Sequence, residues 1–166
     1  MDYSASTDSI DPGEGFEVKY IVNLALSACF AVSVCAGDVK VQLADLPTAV
    51  QAAVKEQTKT ATLVGLSKET ENGKTTWEVE TTVNGKTRDV SFDKTGAIVA
   101  VEQEVDLNSI PAAAKAAIQR KVGKGTLKKV ESVTEGKTVS YEATIVTNGK
   151  SAEVGVNADG TPHKED

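Results

Sequence analysis

Residues 77–86 read WEVETTVNGK, and residues 141–150, which lie 64 positions further along, read YEATIVTNGK. Both stretches begin with an aromatic residue and a glutamate, continue in alternating fashion, and end in Asn-Gly-Lys. Alternation with a period of two predicts a half-buried β-strand, and Asn-Gly predicts a two-residue hairpin turn. Working outward, 16 of the 56 residues from Val41 to Gly96 are identical to the residue 64 positions later. The sequence therefore predicts a duplicated small module.

A helix is predicted before each of these stretches. Leu46-Pro47 and Ile110-Pro111 mark the two starts, because proline disfavours a helical residue before it and is tolerated in the first turn. Apolar residues then recur at helical spacing, and further turn signals separate strands. We predict an α+β fold of two tandem modules, residues 37–105 and 106–166, each with one helix packed on a 3–4 stranded antiparallel sheet. The two sheets share edges or form one continuous sheet.

The N-terminal part of the chain has the features of an export signal. Residues 18–36, VKYIVNLALSACFAVSVCA, combine one lysine, an apolar run and a small-x-small ending at Ala36. The run is short for a membrane span, and the alternative is a buried core helix. Residues 1–17 contain five acidic residues and no basic one, unlike the positive start of a signal peptide. We interpret Met1 as a misassigned translation start, so that residues 1–17 are an artificial extension and translation begins at Val18.

Two processing sites are compatible with this signal peptide. Cleavage after Ala36 would release a chain that begins at Gly37, whereas Leu26-Ser27-Ala28-Cys29 resembles a lipoprotein box and would leave a lipid anchor on Cys29. Cleavage after Ala36 is favoured, because the apolar run continues beyond Cys29. We predict a periplasmic or secreted protein that has no membrane attachment after cleavage, with lipidation of Cys29 as the alternative.

Composition excludes several classes of function for the mature chain. Residues 37–166 contain 17 basic and 19 acidic residues, which provide no broad positive field for nucleic acid or anionic membranes. One basic cluster lacks neighbouring aromatic residues for base stacking and is interpreted as a solvated helix end and strand face. Its members are Arg120, Lys121, Lys124, Lys128 and Lys129. Both cysteines, Cys29 and Cys35, lie in the signal, which excludes a disulfide and a thiol nucleophile from the mature chain.

Catalytic and metal chemistry find little support. The single histidine, His163, lies in a tail that we expect to be frayed, and no partner for a nucleophile dyad is present. Glu78 and Glu80 would lie about 7 Å apart on one strand face, but such faces commonly carry solvated carboxylates. Residues 93–96 and 157–160 lack the acidic ligands of a calcium loop and are interpreted as turns. We predict a non-enzymatic protein with no catalytic, cofactor-binding or metal-binding residues.

The order of these motifs resembles the PepSY-like family, and more closely its exported subgroup described as β-lactamase-inhibitor-like. The resemblance rests on the Leu-Pro or Ile-Pro helix start, the Trp77-Glu78 and Tyr141-Glu142 strand starts, and the Asn-Gly-Lys turns, and it covers residues 37–166. It implies helix-plus-antiparallel-sheet modules, often in tandem, on secreted or periplasmic proteins. Some members of the family are inhibitory segments of peptidases, and the inhibitor fold presents a concave sheet surface to an enzyme. The resemblance thus implies a binding role and names no target.

Alternation divides the strand residues between two faces. Trp77 and Tyr141 fall on the apolar face and are interpreted as core residues rather than as interface hot spots. The polar face is the candidate partner-binding surface, with Glu78, Glu80, Asp89, Ser91, Glu142, Thr144 and Glu153. We predict an exported binding module, inhibitor-like toward a protein or peptide partner such as a secreted hydrolase. The alternative is a structural or envelope-stress protein that holds no tight partner.

Overall fold

The computed structural model describes residues 39–71 and 73–163, so the extension, the signal peptide and both processing sites predicted within residues 1–36 lie outside the described residues. The strands are β1 (Val39–Lys40), β2 (Thr62–Glu71), β3 (Lys74–Val83), β4 (Lys86–Phe92), β5 (Ile98–Glu104), β6 (Thr126–Glu135), β7 (Thr138–Thr147) and β8 (Lys150–Asn157). The helices are α1 (Thr48–Gln57) and α2 (Ala112–Val122), and a short 3-10 helix spans Leu43–Asp45.

The eight strands form one antiparallel sheet in which every strand pairs with its neighbours in the sequence. β5 pairs with β6, with Ala100 opposite Glu135 and Glu104 opposite Glu131. The prediction of two tandem modules, each a helix on its own sheet of 3–4 strands, is therefore wrong. Alternation along a strand shows which of its faces is buried, but it does not show which strand pairs with its second edge. The second edge of β5 is filled by β6, which makes the sheet continuous.

Both helices pack on the same face of this sheet. α1 contributes Val50 and Val54 to a core on β2–β4, and α2 contributes Ala114, Ala117 and Ile118 to a second core on β6–β8. Val90 of the first core lies opposite Val101, and Val101 lies opposite Thr134. Thr134 is four residues from Val130 of the second core, so both project from one face. The two helices thus cover one face of the sheet side by side.

Each helix begins directly after the proline that predicts its start. Pro47 and Pro111 precede the first helical residues, and their carbonyl oxygens accept hydrogen bonds from the backbone N–H of Gln51 and Lys115, each at 2.9 Å. Asp45, which precedes Leu46 and Pro47, accepts a hydrogen bond from the Gln42 N–H at 3.3 Å. It therefore closes the preceding 3-10 turn, while proline geometry sets the start of α1.

The Asn-Gly turns have the backbone conformation that their sequence predicts. Asn84 and Gly85 have φ values of 52° and 80°, and Asn148 and Gly149 have values of 52° and 77°. Two successive positive φ angles define the type I′ turn, whose twist matches the twist of the strands that it joins. These turns fix the register of β3 on β4 and of β7 on β8.

Gly96 and Gly160 serve a different purpose, which is close contact with a helix. A Cβ atom at Gly96 would lie 2.7 Å from the carbonyl oxygen of Ala49 in α1, and one at Gly160 would lie 2.7 Å from that of Ala113 in α2. Both glycines also have positive φ angles, of 78° and 82°. Only glycine allows the turn after β4, or after β8, to lie directly against the helix.

The last described residues are held against β8, contrary to the frayed tail that we expect from the sequence. The N–H of Asn157 donates to the Thr161 carbonyl oxygen at 2.8 Å, and the N–H of His163 donates to the Gly155 carbonyl oxygen at 3.1 Å. The turn at residues 157–160 reverses the chain, and the backbone bonds of β8 then order the segment that follows.

Candidate functional site

The face of the sheet opposite α1 and α2, which we call the helix-free face, carries all the predicted partner-binding residues. Glu80 lies opposite Asp89, and Thr144 lies opposite Glu153. Glu78 lies opposite Ser91, and Glu142 lies opposite Glu131. Within residues 39–71 and 73–163, both helices pack on the other face, where Trp77 and Tyr141 are half-buried against the two cores. The register therefore assembles one polar surface, whereas its role in partner binding stays a prediction.

Three carboxylates meet in the middle of the helix-free face. Asp89 on β4 lies opposite Glu102 on β5, and Glu131 lies on the adjoining strand β6. One oxygen atom from each of the three carboxylates lies within 4.8 Å of the other two. Glu131 is only 5% exposed. A carboxylate at this depth requires compensation by hydrogen bonds or by an opposite charge.

Lys129 supplies most of that compensation. Its Nζ lies 2.7 Å from Glu131 Oε2, on the same strand and two residues away. The Thr87 hydroxyl donates to Glu131 Oε1 at 3.3 Å. The Thr87 N–H donates to Glu104 Oε2 at 3.2 Å, which brings a fourth carboxylate to the edge of the group. The trio Asp89, Glu102 and Glu131 is thus built around one ammonium group and one hydroxyl.

The ionisation of these groups reflects their crowding. Burial raises the pKa of the Asp89 carboxyl above its ordinary value, and repulsion by Glu131 and Glu80 adds to this effect. A hydrogen bond from the Thr81 backbone and the charge of Lys129 oppose the rise only in part. Burial lowers the pKa of Lys129, but its hydrogen bond to Glu131 and the surrounding carboxylates raise it by more. Lys129 therefore stays charged, and the Asp89 carboxyl gains its proton at a higher pH than an ordinary aspartate does.

The absence of a side chain at Gly65 leaves room for the carboxylate of Glu80 on the neighbouring strand. A Cβ atom at Gly65 on β2 would lie 3.0 Å from Glu80 Cδ and from both carboxylate oxygens of Glu80. The Glu80 carboxylate thus lies over β2, on the side of β3 away from Asp89. β2 has a register shift between Leu63 and Gly65, and β6 has one at the corresponding place, between Leu127 and Lys129. After the shift in β2, the helix-free face carries Gly65, and the Glu80 carboxylate lies over it. After the shift in β6, the face carries Lys129.

Sequence reasoning missed the central residues of this face. Glu102 and Glu104 alternate with Val101 and Gln103, which is a signal for one strand face, but placing them beside Asp89 requires the register of β5. Lys129 was predicted to belong to a solvated basic cluster with Arg120, Lys121, Lys124 and Lys128. The register shift before Lys129 turns it onto the helix-free face among carboxylates, so its place in that cluster is wrong.

The site brings together carboxylates and one ammonium group, which form charge-assisted hydrogen bonds. Three close carboxylate oxygens form the donor set that hard divalent cations prefer, but the Lys129 ammonium already balances part of their charge.

The single histidine and the two helices lie apart from this group of carboxylates. His163 lies near Asn157, with 3.1 Å between its Nδ1 and Asn157 Oδ1. Neither described helix has the length and apolar character that crossing a membrane requires.

Comparison with known proteins identifies the fold. No protein-family model matches the chain, and no curated protein matches it. A protein of Bacteroides eggerthii, described as "putative periplasmic", matches with a TM-score of 0.58 and 18% identity, over 72% of this chain and 86% of that one. A BLIP-like protein of Bacteroides fragilis matches with a TM-score of 0.51 and 18% identity, over 73% of this chain and 85% of that one.

A DUF2874 family protein of Bacteroides uniformis also matches, with a TM-score of 0.55 and 19% identity, over 71% of this chain and 86% of that one. At such identities the matches show a shared fold. The β-lactamase-inhibitor-like resemblance agrees with the BLIP-like description, and the predicted periplasmic location agrees with that of the protein from Bacteroides eggerthii. The PepSY-like part of the resemblance stays a prediction. The chain therefore has the fold of periplasmic and BLIP-like proteins of Bacteroides.

Proposed function

We propose that this chain is an exported, non-enzymatic binding module that holds a protein or peptide partner, such as a secreted hydrolase, on the helix-free face. The observation that carries the proposal is the division of the sheet into two unlike faces. One face is covered by α1 and α2, whereas the strand residues of the other face are mostly polar, with Val133 as a buried apolar exception. A rigid sheet surface can hold a partner with little loss of conformational entropy.

The likeness to a BLIP-like protein also supports a binding role. It supports the fold directly and the role only by analogy, because function depends on the particular surface. Each of the predicted residues Glu78, Glu80, Asp89, Glu142, Thr144 and Glu153 projects from this surface. We therefore assign the interaction to the helix-free face rather than to the outer sides of the helices.

A steric test examines the face without changing its charge. The full chain would be expressed with an affinity tag in the source bacterium, purified from the periplasm, and its stoichiometric partners would be identified by mass spectrometry. Ser91→Trp and Thr144→Trp place a bulky side chain on the helix-free face, between polar neighbours. Ala52→Trp places the same side chain on the exposed side of α1 and is the matched control.

We expect one partner to be retained by the parent chain and by Ala52→Trp, and to be lost from both face variants. Retention by all four proteins would overturn the assignment of the face. Recovery of no partner by any of them would favour the structural or envelope-stress protein. Circular dichroism of each variant shows that the loss is not caused by unfolding.

A further inference from the structure

We infer that the helix-free face takes a partner segment rich in arginine or lysine, and that Lys129 occupies the place of one such side chain in the free protein. This inference rests on the proposed function and specifies the chemistry of the partner. It also assigns Lys129 a role, as an internal competitor that limits affinity until a cation of the partner replaces it.

The first observation is the separation of charge between the faces of the sheet. The strand residues on the helix-free face include ten carboxylates, namely Glu69, Glu78, Glu80, Asp89, Glu102, Glu104, Glu131, Glu135, Glu142 and Glu153. The lysines that the strand register places on the same face are Lys40, Lys74 and Lys129, and Lys128 lies in the bulge between Leu127 and Lys129. The mature chain is nearly neutral, so this excess of negative charge belongs to one surface and not to the whole protein.

The second observation is that the acidic group already pairs with an ammonium group of this kind, which the chain itself supplies. The Lys129 ammonium donates a hydrogen bond to Glu131 and is attracted by Asp89 and Glu102. Lys40 lies on the edge strand β1, and Lys74 is the first residue of β3, so Lys129 is the lysine in the middle of the face. The trio Asp89, Glu102 and Glu131 therefore accommodates an alkylammonium group, and side chains with this chemistry are those of lysine and arginine.

Desolvation favours the same partner over an apolar one. An apolar surface laid on these carboxylates would remove them from water without replacing their hydrogen bonds, which costs several kcal/mol per buried charge. A polyanionic partner would add repulsion to that cost. Arginine, with five donors in a planar fork, can contact two carboxylates at once, and it therefore suits a surface on which Asp89 lies opposite Glu102.

The role of Lys129 follows from its single charge. While its ammonium is bound to Glu131, that carboxylate is already compensated, and an incoming guanidinium must displace the ammonium to reach it. Replacement of Lys129 by glutamine removes the competitor and makes the face more negative. The affinity for a cationic peptide should therefore rise, whereas neutralising Glu131 or Asp89 should lower it.

The experiment is isothermal titration calorimetry of the full chain with two probes, an acetylated and amidated hexa-arginine peptide and the matching hexa-glutamate peptide. We expect binding of the arginine peptide alone. Glu131→Gln and Asp89→Asn should each weaken it about fivefold, and Lys129→Gln should strengthen it about threefold. Glu56→Gln and Lys55→Gln, both exposed on α1, are matched controls and should change nothing. Raising the salt concentration should weaken the binding, because exposed charges are screened.

The inference is overturned if the arginine peptide binds no better than the glutamate peptide, or if the α1 controls act like the face variants. Weaker binding by Lys129→Gln would contradict its role as a competitor. Trp77 fluorescence on heating shows whether each variant is folded, and Asp89→Asn leaves the pair of Lys129 and Glu131 intact if Glu131→Gln fails to fold. A partner that is lost from the tryptophan variants but not from Glu131→Gln would sustain the proposed function and reject a basic partner.

Discussion

Asp89 shows how one carboxyl group responds to the crowding of the helix-free face. It lies between Glu80 and Glu102 on the neighbouring strands, and the buried Glu131 is also close. Its raised pKa arises first from burial and then from repulsion by Glu131 and Glu80. Ionisation of Asp89 therefore costs the folded state more than the unfolded chain, so the face holds this charge at the expense of stability.

Asp89→Asn should therefore increase the free energy of unfolding at pH 7. The folded-state pKa of Asp89 is raised, so its contribution to stability is fully present below the ordinary pKa of aspartate and is lost as the pH rises through the folded-state value. The gain from the substitution should be smallest near pH 3 and should grow toward neutral pH. Urea denaturation between pH 3 and pH 7 measures this dependence. Glu56→Gln on the exposed side of α1 is the control, and an equal gain at every pH would contradict the argument.

The turns between strands show how a single atom limits the packing of two elements. Gly96 and Gly85 have nearly equal φ angles, of 78° and 80°. A Cβ atom at Gly96 would clash with the Ala49 carbonyl oxygen of α1, whereas a Cβ atom at Gly85 would meet nothing within 4 Å. The two positions thus differ in contact with a helix and not in backbone conformation.

Gly96→Ala should destabilise the protein by about 2 kcal/mol or more, because backbone strain and displacement of α1 add together. Gly85→Ala has the same positive φ without the clash and should cost about 1 kcal/mol. Urea denaturation of both variants measures the difference. Equal losses would mean that α1 yields to the added methyl group without cost.

At the level of elements, the sequence predicted local features well. The Asn-Gly turns, the helix starts after Leu46 and Ile110 and the alternation along the strands depend on neighbours in the chain, and the structure contains each of them. The central group of the site depends on long-range register instead. Lys129 reaches Glu131 only because β6 shifts register before it, and no local pattern in residues 126–131 distinguishes this bulge.

At the level of the whole molecule, the pairing of β5 with β6 replaces the predicted modules of 3–4 strands by the continuous sheet that is one of the two arrangements considered from the sequence. Because of this pairing, the two cores, which the sequence assigns to separate modules, lie on one sheet. Residues 39–71 and 73–163 belong to one compact unit. A continuous ladder couples the two cores, because opening either half exposes the backbone edge of the other.

Unfolding should therefore be a single cooperative transition. Trp77, the only tryptophan of the chain, lies against the first core, and Ile118 is fully buried in the second. Ile118→Ala should cost about 2–5 kcal/mol and should lower the urea midpoint reported by Trp77 fluorescence as much as the midpoint reported by far-UV circular dichroism. A Trp77 transition that stays unchanged while the circular dichroism transition shifts would mean that the two halves unfold independently.

The order of strands in the sheet also has a consequence for how the chain acquires its structure. Each strand pairs with the strand next to it in the sequence. The pairs β2–β3, β3–β4, β6–β7 and β7–β8 are hairpins with short loops, whereas α1 and α2 lie in the longer connections that precede β2 and β6. Short loops cost little entropy to close, and contacts between sequence neighbours favour rapid folding. A chain of this design can pair each strand as soon as the preceding strand is in place, before the rest of the chain has folded.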